Sequence, residues 1–236
     1  MSHEVKIHEA QTSILRELLF RPAAGFAELQ KPTGLTSDHF TFHINRLVEL
    51  GLVERMGRGR YRLSTAGKEY ANRLDTDNNT VERQPKCAVV LIIERERKGR
   101  QEFLFQQRLK HPYFGFWGRP TGKIRWGEMI VETAARELME ETGLEARHTI
   151  LGVYHEHTFA AGTGELLEDK IFFDVHCTNV RGELHEQFEG GRNAWMTLDE
   201  VLAKPKHFGN FDVGMSILNG KAVFVEGRHE YERGVF

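Results

Sequence analysis

Hydrophobic and polar positions recur with two different periods along this chain, and the change of period divides it. Over Gln11–Phe20, the residues Ile14, Leu15, Leu18 and Leu19 fall at the three-and-four spacing of one helical face. A shorter helix is expected at Gly25–Gln30 and a turn at Pro32-Thr33-Gly34. A third helix runs from a cap at Thr36 or Ser37 through Phe40, Ile44, Leu47 and Leu50 to a stop at Gly51. Two short strands, Leu52–Arg55 and Arg60–Ser64, flank Met56-Gly57-Arg58-Gly59, and Thr65–Leu74 returns to helix. The next stretch is polar, lacks aromatics and ends in Pro85, which is linker composition. Beyond it, Cys87–Ile93, Phe103–Arg108, Thr149–Phe159 and Ile171–Thr178 read as strands. Ile130–Glu141 is an amphipathic helix, and shorter helices are expected at Leu198–Leu202 and Asn210–Leu218. The expected division is a domain at 1–75, a linker at 76–86, and a single α/β domain at 87–236.

Composition sharpens this picture mainly by exclusion. The 236 residues are 40% hydrophobic and 28% charged, enough to bury a core in each domain and unlike a disordered chain. A net charge of −2 supplies no field that would draw the whole chain to nucleic acid or membrane, so any basic patch is local. Cys87 and Cys177 are too few for a disulfide framework or a four-ligand zinc site. The longest apolar run, Cys87–Ile93, falls far short of a membrane span, and Met1–Gln11 lacks the apolar centre of a signal peptide. The expectation is a cytoplasmic protein with no membrane partner.

Helix, helix, turn, helix, hairpin, helix in the first third of the chain resembles the winged helix-turn-helix family, a small α+β domain. That resemblance implies double-stranded DNA as a partner. Ser37, Thr41, His43 and Arg46 would face the major groove from the third helix, while Arg58 and Arg60 of the wing would touch phosphates. Residues 1–80 hold eleven basic and ten acidic side chains, a modest footprint for DNA. The competing use of such a domain is dimerisation or substrate binding, and a homodimer is the expected assembly.

The chemistry concentrates in Gly122–Leu144. On a helix over Ile130–Glu141, the residues Val131, Ala134, Ala135 and Leu138 form one stripe toward a core. Glu137, Glu140 and Glu141 share a neighbouring edge, where like charges at these spacings each cost about 0.2–0.5 kcal/mol. A purely structural helix gains nothing from that arrangement. A hard divalent cation with oxygen ligands reverses its sign. Just upstream, Gly122 would let backbone approach a ligand, and Lys123 and Arg125 bring positive charge to a phosphate.

Gly122, Glu128, Arg136-Glu137-Leu138, Glu140-Glu141 and Gly143-Leu144 match every fixed position of the Nudix box, so the second domain resembles the Nudix hydrolases over roughly Lys86–Leu218. The resemblance implies an α/β/α sandwich with a mixed sheet and a Mg²⁺-dependent hydrolase, with Mn²⁺ as an alternative ion. A phosphoanhydride in a nucleotide-like diphosphate would be cleaved. It also implies roles: Glu137, Glu140 and Glu141 as metal ligands with Glu137 a ligand or base, the Thr121 carbonyl on the metal, and Glu128 with Arg136 as a brace. Arg108, Arg119, Lys123 and Arg125 would reach substrate phosphate. A later carboxylate often completes the family's site. Glu189 ranks first for it, ahead of Glu186, Glu165, Glu168 and Asp169. The alternative is a transcriptional regulator whose Nudix fold senses a nucleotide-like ligand. No proline occurs between Pro120 and Pro205, which weighs against ADP-ribose, whose hydrolases in this family carry one beyond the box. Phe114, Phe116, Trp117 and Trp195 are expected in core or pocket wall. His155 and His157 share one face of a strand and read as partly buried structural histidines, and His176-Cys177 as structural.

Overall fold

The computed structural model describes residues 7–77 and 80–236; the first six residues of the charged amino terminus, and Asn78 and Asn79 of the expected linker, lie outside them. The chain divides into two compact units between Arg83 and Gln84.

The first unit contains α1 (Glu9–Leu19), β1 (Ala24–Gly25), α2 (Phe26–Gln30), α3 (Ser37–Glu49), β2 (Val53–Met56), β3 (Arg60–Leu63) and α4 (Thr65–Ala71). It closes with a two-stranded ladder of β4 (Leu74–Asp75) and β5 (Thr80–Val81), which occupies part of the expected linker. Ile14, Leu15, Leu18, Phe40, Ile44 and Leu47 meet in one core, as their spacing requires. The β2–β3 hairpin turns through Arg58, whose φ is 62°, and β1 adds a third strand beside β3.

The second unit is an α/β/α sandwich. Its long strands are β6 (Lys86–Arg97), β7 (Arg100–Arg108), β10 (Leu144–Ala160) and β11 (Leu166–Gly182). Shorter ones are β8 (Trp117–Gly118), β9 (Thr121–Lys123), β12 (Gln187–Phe188), β13 (Gly191–Met196) and β14 (Phe224–Tyr231). The helices are α5 (Ile130–Thr142), α6 (Leu198–Leu202) and α7 (Phe211–Leu218). The mixed sheet runs β12-β13-β7-β6-β11-β10-β14, with β11 parallel to β6 and β14 parallel to β10.

Strand β6 is apolar without alternation because both its faces are covered. Val89, Leu91 and Ile93 pack with Ala134 and Leu138 of α5, whereas Ala88, Val90 and Ile92 point to the other side, into clusters that include Phe211 and Ile217 of α7. Strand β6 also changes its antiparallel partner along its length. Ala88–Val90 pair with β9, and Glu94–Arg97 pair with β7, so the sheet forks there.

The buried stripe of α5 differs from the expected one. Ala134 and Leu138 are buried, but Val131 and Ala135 are exposed, and Thr133 and Thr142 are fully buried instead. Their hydroxyls are spent locally: Thr133 donates to Glu128 Oε2 (2.8 Å) and Thr142 to the Leu138 carbonyl (2.5 Å), which removes the cost of burying them. Gly143, with φ of 71°, then closes the helix in the left-handed conformation, its N–H donating to the Met139 carbonyl.

Candidate active site

A cavity of about 690 Å³ opens where α5 lies over the fork in the sheet, and Gly122, Glu137 and Glu141 line it together with Gln106 and Arg108. One prong touches each carboxylate. On the β9 side, Gly122 leaves room for Glu137: a Cβ built on that glycine would land on Glu137 Cγ and Cδ, and 2.6 Å from its Oε1. On the β7 side, the Gln106 side-chain amide donates to Glu141 Oε2 (3.0 Å). Gly122 therefore serves the packing of a carboxylate, a use the expected close approach of backbone to ligand did not include.

Arg136 organises the rest of the helix edge. Its Nε and Nη2 donate to Glu128 at 2.6 and 2.8 Å, and its Nη1 to Glu137 Oε1 at 2.6 Å and Glu140 Oε2 at 3.3 Å. Nη2 also reaches the Lys123 carbonyl (3.2 Å), which ties the loop to the helix. Hydrogen bonds from Arg136 hold the Glu128 carboxyl down at about 2. Burial has the opposite effect on Glu141, pushing its carboxyl above the ordinary range. Glu141, half-buried and held by a neutral amide, with Glu137 one turn before it on the same cavity and the exposed Glu140 next to it, forms a donor set that fits a hard divalent cation.

Basic side chains rim this end of the cavity. Arg108 is half-buried, its Nε donating to the Pro112 carbonyl (2.9 Å), and burial lowers its pKa. Lys123 is exposed on the lining, as is Arg125, whose Nη2 lies 3.5 Å from Glu140 Oε2. Thr121 also lines the cavity. Arg119 differs from expectation. It borders the cavity, but its guanidinium packs where a Cβ on Gly214 would sit, donates to the Phe211 carbonyl (3.2 Å), and lies over the Phe211 ring. It anchors α7, and burial pushes its pKa down to about 10.

The five candidates for a later carboxylate stand in different places. Glu186 and Glu189 are exposed on the segment around β12 and are not among the lining residues, because β13 pairs with β7 on the far side of the fork from β11. Glu165 sits at the β10–β11 turn, paired with Arg233 (2.6 Å), and Asp169 points to the opposite face of the sheet. Glu168 of β11 is the one of these five candidates on the cavity wall: it is 5% exposed, and Lys170 Nζ lies 2.5 Å from its Oε2. The inner wall carries polar groups that sequence reasoning missed. Glu156 accepts from Asn210 Nδ2 (2.8 Å), and burial raises Asp174 to about 6. Their signal was present, since both fall in phase with the buried aromatics Tyr154 and Phe172 on alternating strands. Among the expected aromatics, Phe116 and Trp117 are buried, Trp195 lies under Arg95, and Phe114 is exposed.

In the first unit, Ser37 and Thr41 are exposed on α3, and Arg58 is exposed at the hairpin tip. Arg46 is paired with Glu49 (3.1 Å), and Arg60 donates to the Ala23 carbonyl (2.9 Å). His43 does not face outward with them. Its ring is half-buried, with the ring of His8 of the α1 cap at 4.6 Å.

A carboxylate edge facing a cavity rimmed with basic side chains, inside an α/β/α sandwich, is the layout of a protein that handles phosphates. The NUDIX domain family matches residues 84–215, more than half of the chain, and the protein belongs to that family. It is 32% identical over 99 residues to the ADP-ribose pyrophosphatase of Methanocaldococcus jannaschii, covering 40% of this chain and 56% of that protein. It is 34% identical over 87 residues to the oxidized purine nucleoside triphosphate hydrolase of Mus musculus, covering 37% and 53%. A match to an octanoyltransferase of Myxococcus xanthus, 33% identical over 135 residues, covers 54% of this chain and 36% of that protein. The chain thus spans between about a third and just over half of the length of these relatives. In fold it resembles the NUDIX domain of Shewanella oneidensis NrtR, solved with ADP-ribose, with a TM-score of 0.52 at 18% identity over 68% of this chain and 100% of that one. Nudix hydrolases in general use divalent metals. Among the described residues, no helix is long and apolar enough to cross a membrane.

Proposed function

We propose that residues 84–236 hydrolyse a phosphoanhydride bond in a nucleoside diphosphate-linked substrate, with Mg²⁺ or Mn²⁺ held by Glu137, Glu140 and Glu141 and the Thr121 carbonyl. The observation that carries this is the pairing of each end of the acidic edge with its own prong of the sheet, Glu137 against Gly122 and Glu141 against Gln106. When bound, the ion lowers the pKa of a water and offsets charge on the leaving oxygen. The protein's own groups do the rest. Arg108, Lys123 and Arg125 hold the phosphates, and Arg136 with Glu128 keeps the helix edge in register. Glu168, rather than Glu189, supplies the later carboxylate that orients the attacking water. Asp174, Glu156 and Asn210 on the inner wall read the nucleoside by hydrogen bonding. Glu141→Gln should leave the fold intact and reduce Mg²⁺-dependent release of phosphate or pyrophosphate by roughly a hundredfold or more, a loss on the scale of removing an electrostatic group from a transition state. Turnover equal to wild type on a panel of nucleotide diphosphates would refute the assignment.

Exposure of Ser37, Thr41 and Arg58 favours a second role for the first unit, as a winged helix-turn-helix that binds double-stranded DNA. His43 and Arg60 are left out of that surface by their contacts with His8 and Ala23. A gel shift on DNA upstream of the protein's own gene tests it. Arg58→Ala should weaken binding at all sequences alike and lower its salt dependence. Absence of any shift at low salt would leave the unit without this role.

A further inference from the structure

Strand β10 presents two chemistries, one on each face. Tyr154, Glu156 and Thr158 line the cavity, so His155 and His157 between them point to the opposite face. There the antiparallel register sets His157 directly across from Asp169 of β11, and the parallel register sets His155 beside Glu226 of β14. His155 Nε2 lies 2.9 Å from Asp169 Oδ1 and His157 Nε2 lies 3.5 Å from the same oxygen. The two imidazole rings are 4.7 Å apart, and one ligand atom from each of the three residues falls within 4.8 Å of the others. All three are half-buried.

We propose that His155, His157 and Asp169 form a transition-metal site of zinc type, separate from the acidic edge of α5. Ligands about 2.0–2.1 Å from a tetrahedral centre stand roughly 3.3 Å from one another, and the two observed edges bracket that value. The donor set is two imidazoles and one carboxylate with a position left for water, which suits Zn²⁺ and its neighbours and does not suit Mg²⁺. The remaining ring nitrogen of His155 supplies an independent sign. Its Nδ1 is 3.1 Å from Glu226 Oε1, the carboxylate contact that fixes the tautomer and orientation of an imidazole whose Nε2 binds metal. Arg228, which pairs with His157 across the strands, has its guanidinium over the ring of Phe159 at 5.5 Å. An ion here ties β10 to β11 directly, and to β14 through Glu226, behind the wall that carries Glu156.

The test uses the full-length chain, stripped with a chelator and then titrated with Zn²⁺ or Co²⁺ in a large excess of Mg²⁺. One ion per chain should bind, and the Co²⁺ form should show the visible absorption of a four-coordinate centre. His157→Ala and His157→Gln, with unchanged far-UV circular dichroism, should each lose that ion and that absorption, whereas Glu140→Gln/Glu141→Gln should keep both. Three results would each overturn the proposal: no uptake by the wild-type chain, uptake unchanged in both His157 variants, or loss confined to the Glu140/Glu141 variant. The absence of uptake would reduce the cluster to a histidine paired with two carboxylates. Hydrolysis is read separately, so the acidic edge of α5 stands or falls by its own assay.

Discussion

Replacing Gly122 by alanine adds one carbon where the structure has no room for it. The new Cβ would stand 2.6 Å from Glu137 Oε1 against an ordinary contact of 3.4 Å, and would overlap Cγ and Cδ outright. Glu137 must then leave its rotamer and with it the 2.6 Å bond to Arg136, or β9 must shift away from β6. Overpacking of this kind costs about 1–3 kcal/mol. At about 2–4 °C per kcal/mol for a domain of this size, the melting temperature of the second unit should fall by roughly 2–12 °C. Turnover should fall further, by about a hundredfold, since Glu137 is one of the proposed ion ligands and moving such a carboxylate by about 1 Å has that effect. The decisive measurement is a double-mutant cycle. In a Glu137→Ala background, the same glycine substitution meets an emptied space and should cost little stability, which leaves a coupling of about 1–3 kcal/mol. If the two substitutions instead add without coupling, or if Gly122→Ala melts and turns over like wild type, the glycine has another purpose and the reasoning fails.

Two further outcomes follow from buried groups. A Cβ on Gly67 would run into the Leu52 carbonyl group, with Leu52 C at 2.8 Å, and backbone cannot swing aside as Glu137 can. Gly67→Ala should therefore cost about 3 kcal/mol or more, and limited proteolysis should cut the first 83 residues faster while sparing the rest; an unchanged digestion pattern would contradict the collision. Asp174 binds its proton more tightly when folded, at about 6 instead of 3.8, so its contribution is most favourable below the lower value and is lost as pH rises through that window. At 1.36 kcal/mol per pH unit the loss is about 3 kcal/mol, so Asp174→Asn should melt higher than wild type at pH 7 and nearly with it at pH 4. A pH-independent difference in melting temperature would rule out burial of the charge as its cause.

The acidic edge of α5 was legible because its spacing is local: three carboxylates within five residues of one helix meet whatever the rest of the chain does. Its buried stripe was less so, because Thr133 and Thr142 look polar until their hydroxyl partners are known. The inner wall of the cavity depends on pairings between strands far apart in sequence. Glu168, Glu156 and Asp174 reach it by the register of β10, β11 and β6, which hydrophobic spacing alone does not set. Strand β14 went unread because its residues alternate between half-buried and exposed with a glycine at Gly227, where a Cβ would strike the Tyr154 hydroxyl at 2.6 Å. Strand pairing likewise decides that Glu168 lines the cavity while Glu189 does not.

The fork in the sheet has a consequence for how such a protein can change. The strands whose residues touch Glu137 and Glu141 of α5 are β9 and β7, while Glu156, Asp174 and Asn210 stand on β10, β11 and the approach to α7. Under the proposed function, recognition and bond cleavage would be built on different timbers of one frame. Under that function, exchanging Asp174 or Asn210 should change which molecule is accepted while leaving Glu137 and Glu141 where they stand, so new substrates would be within reach of single steps.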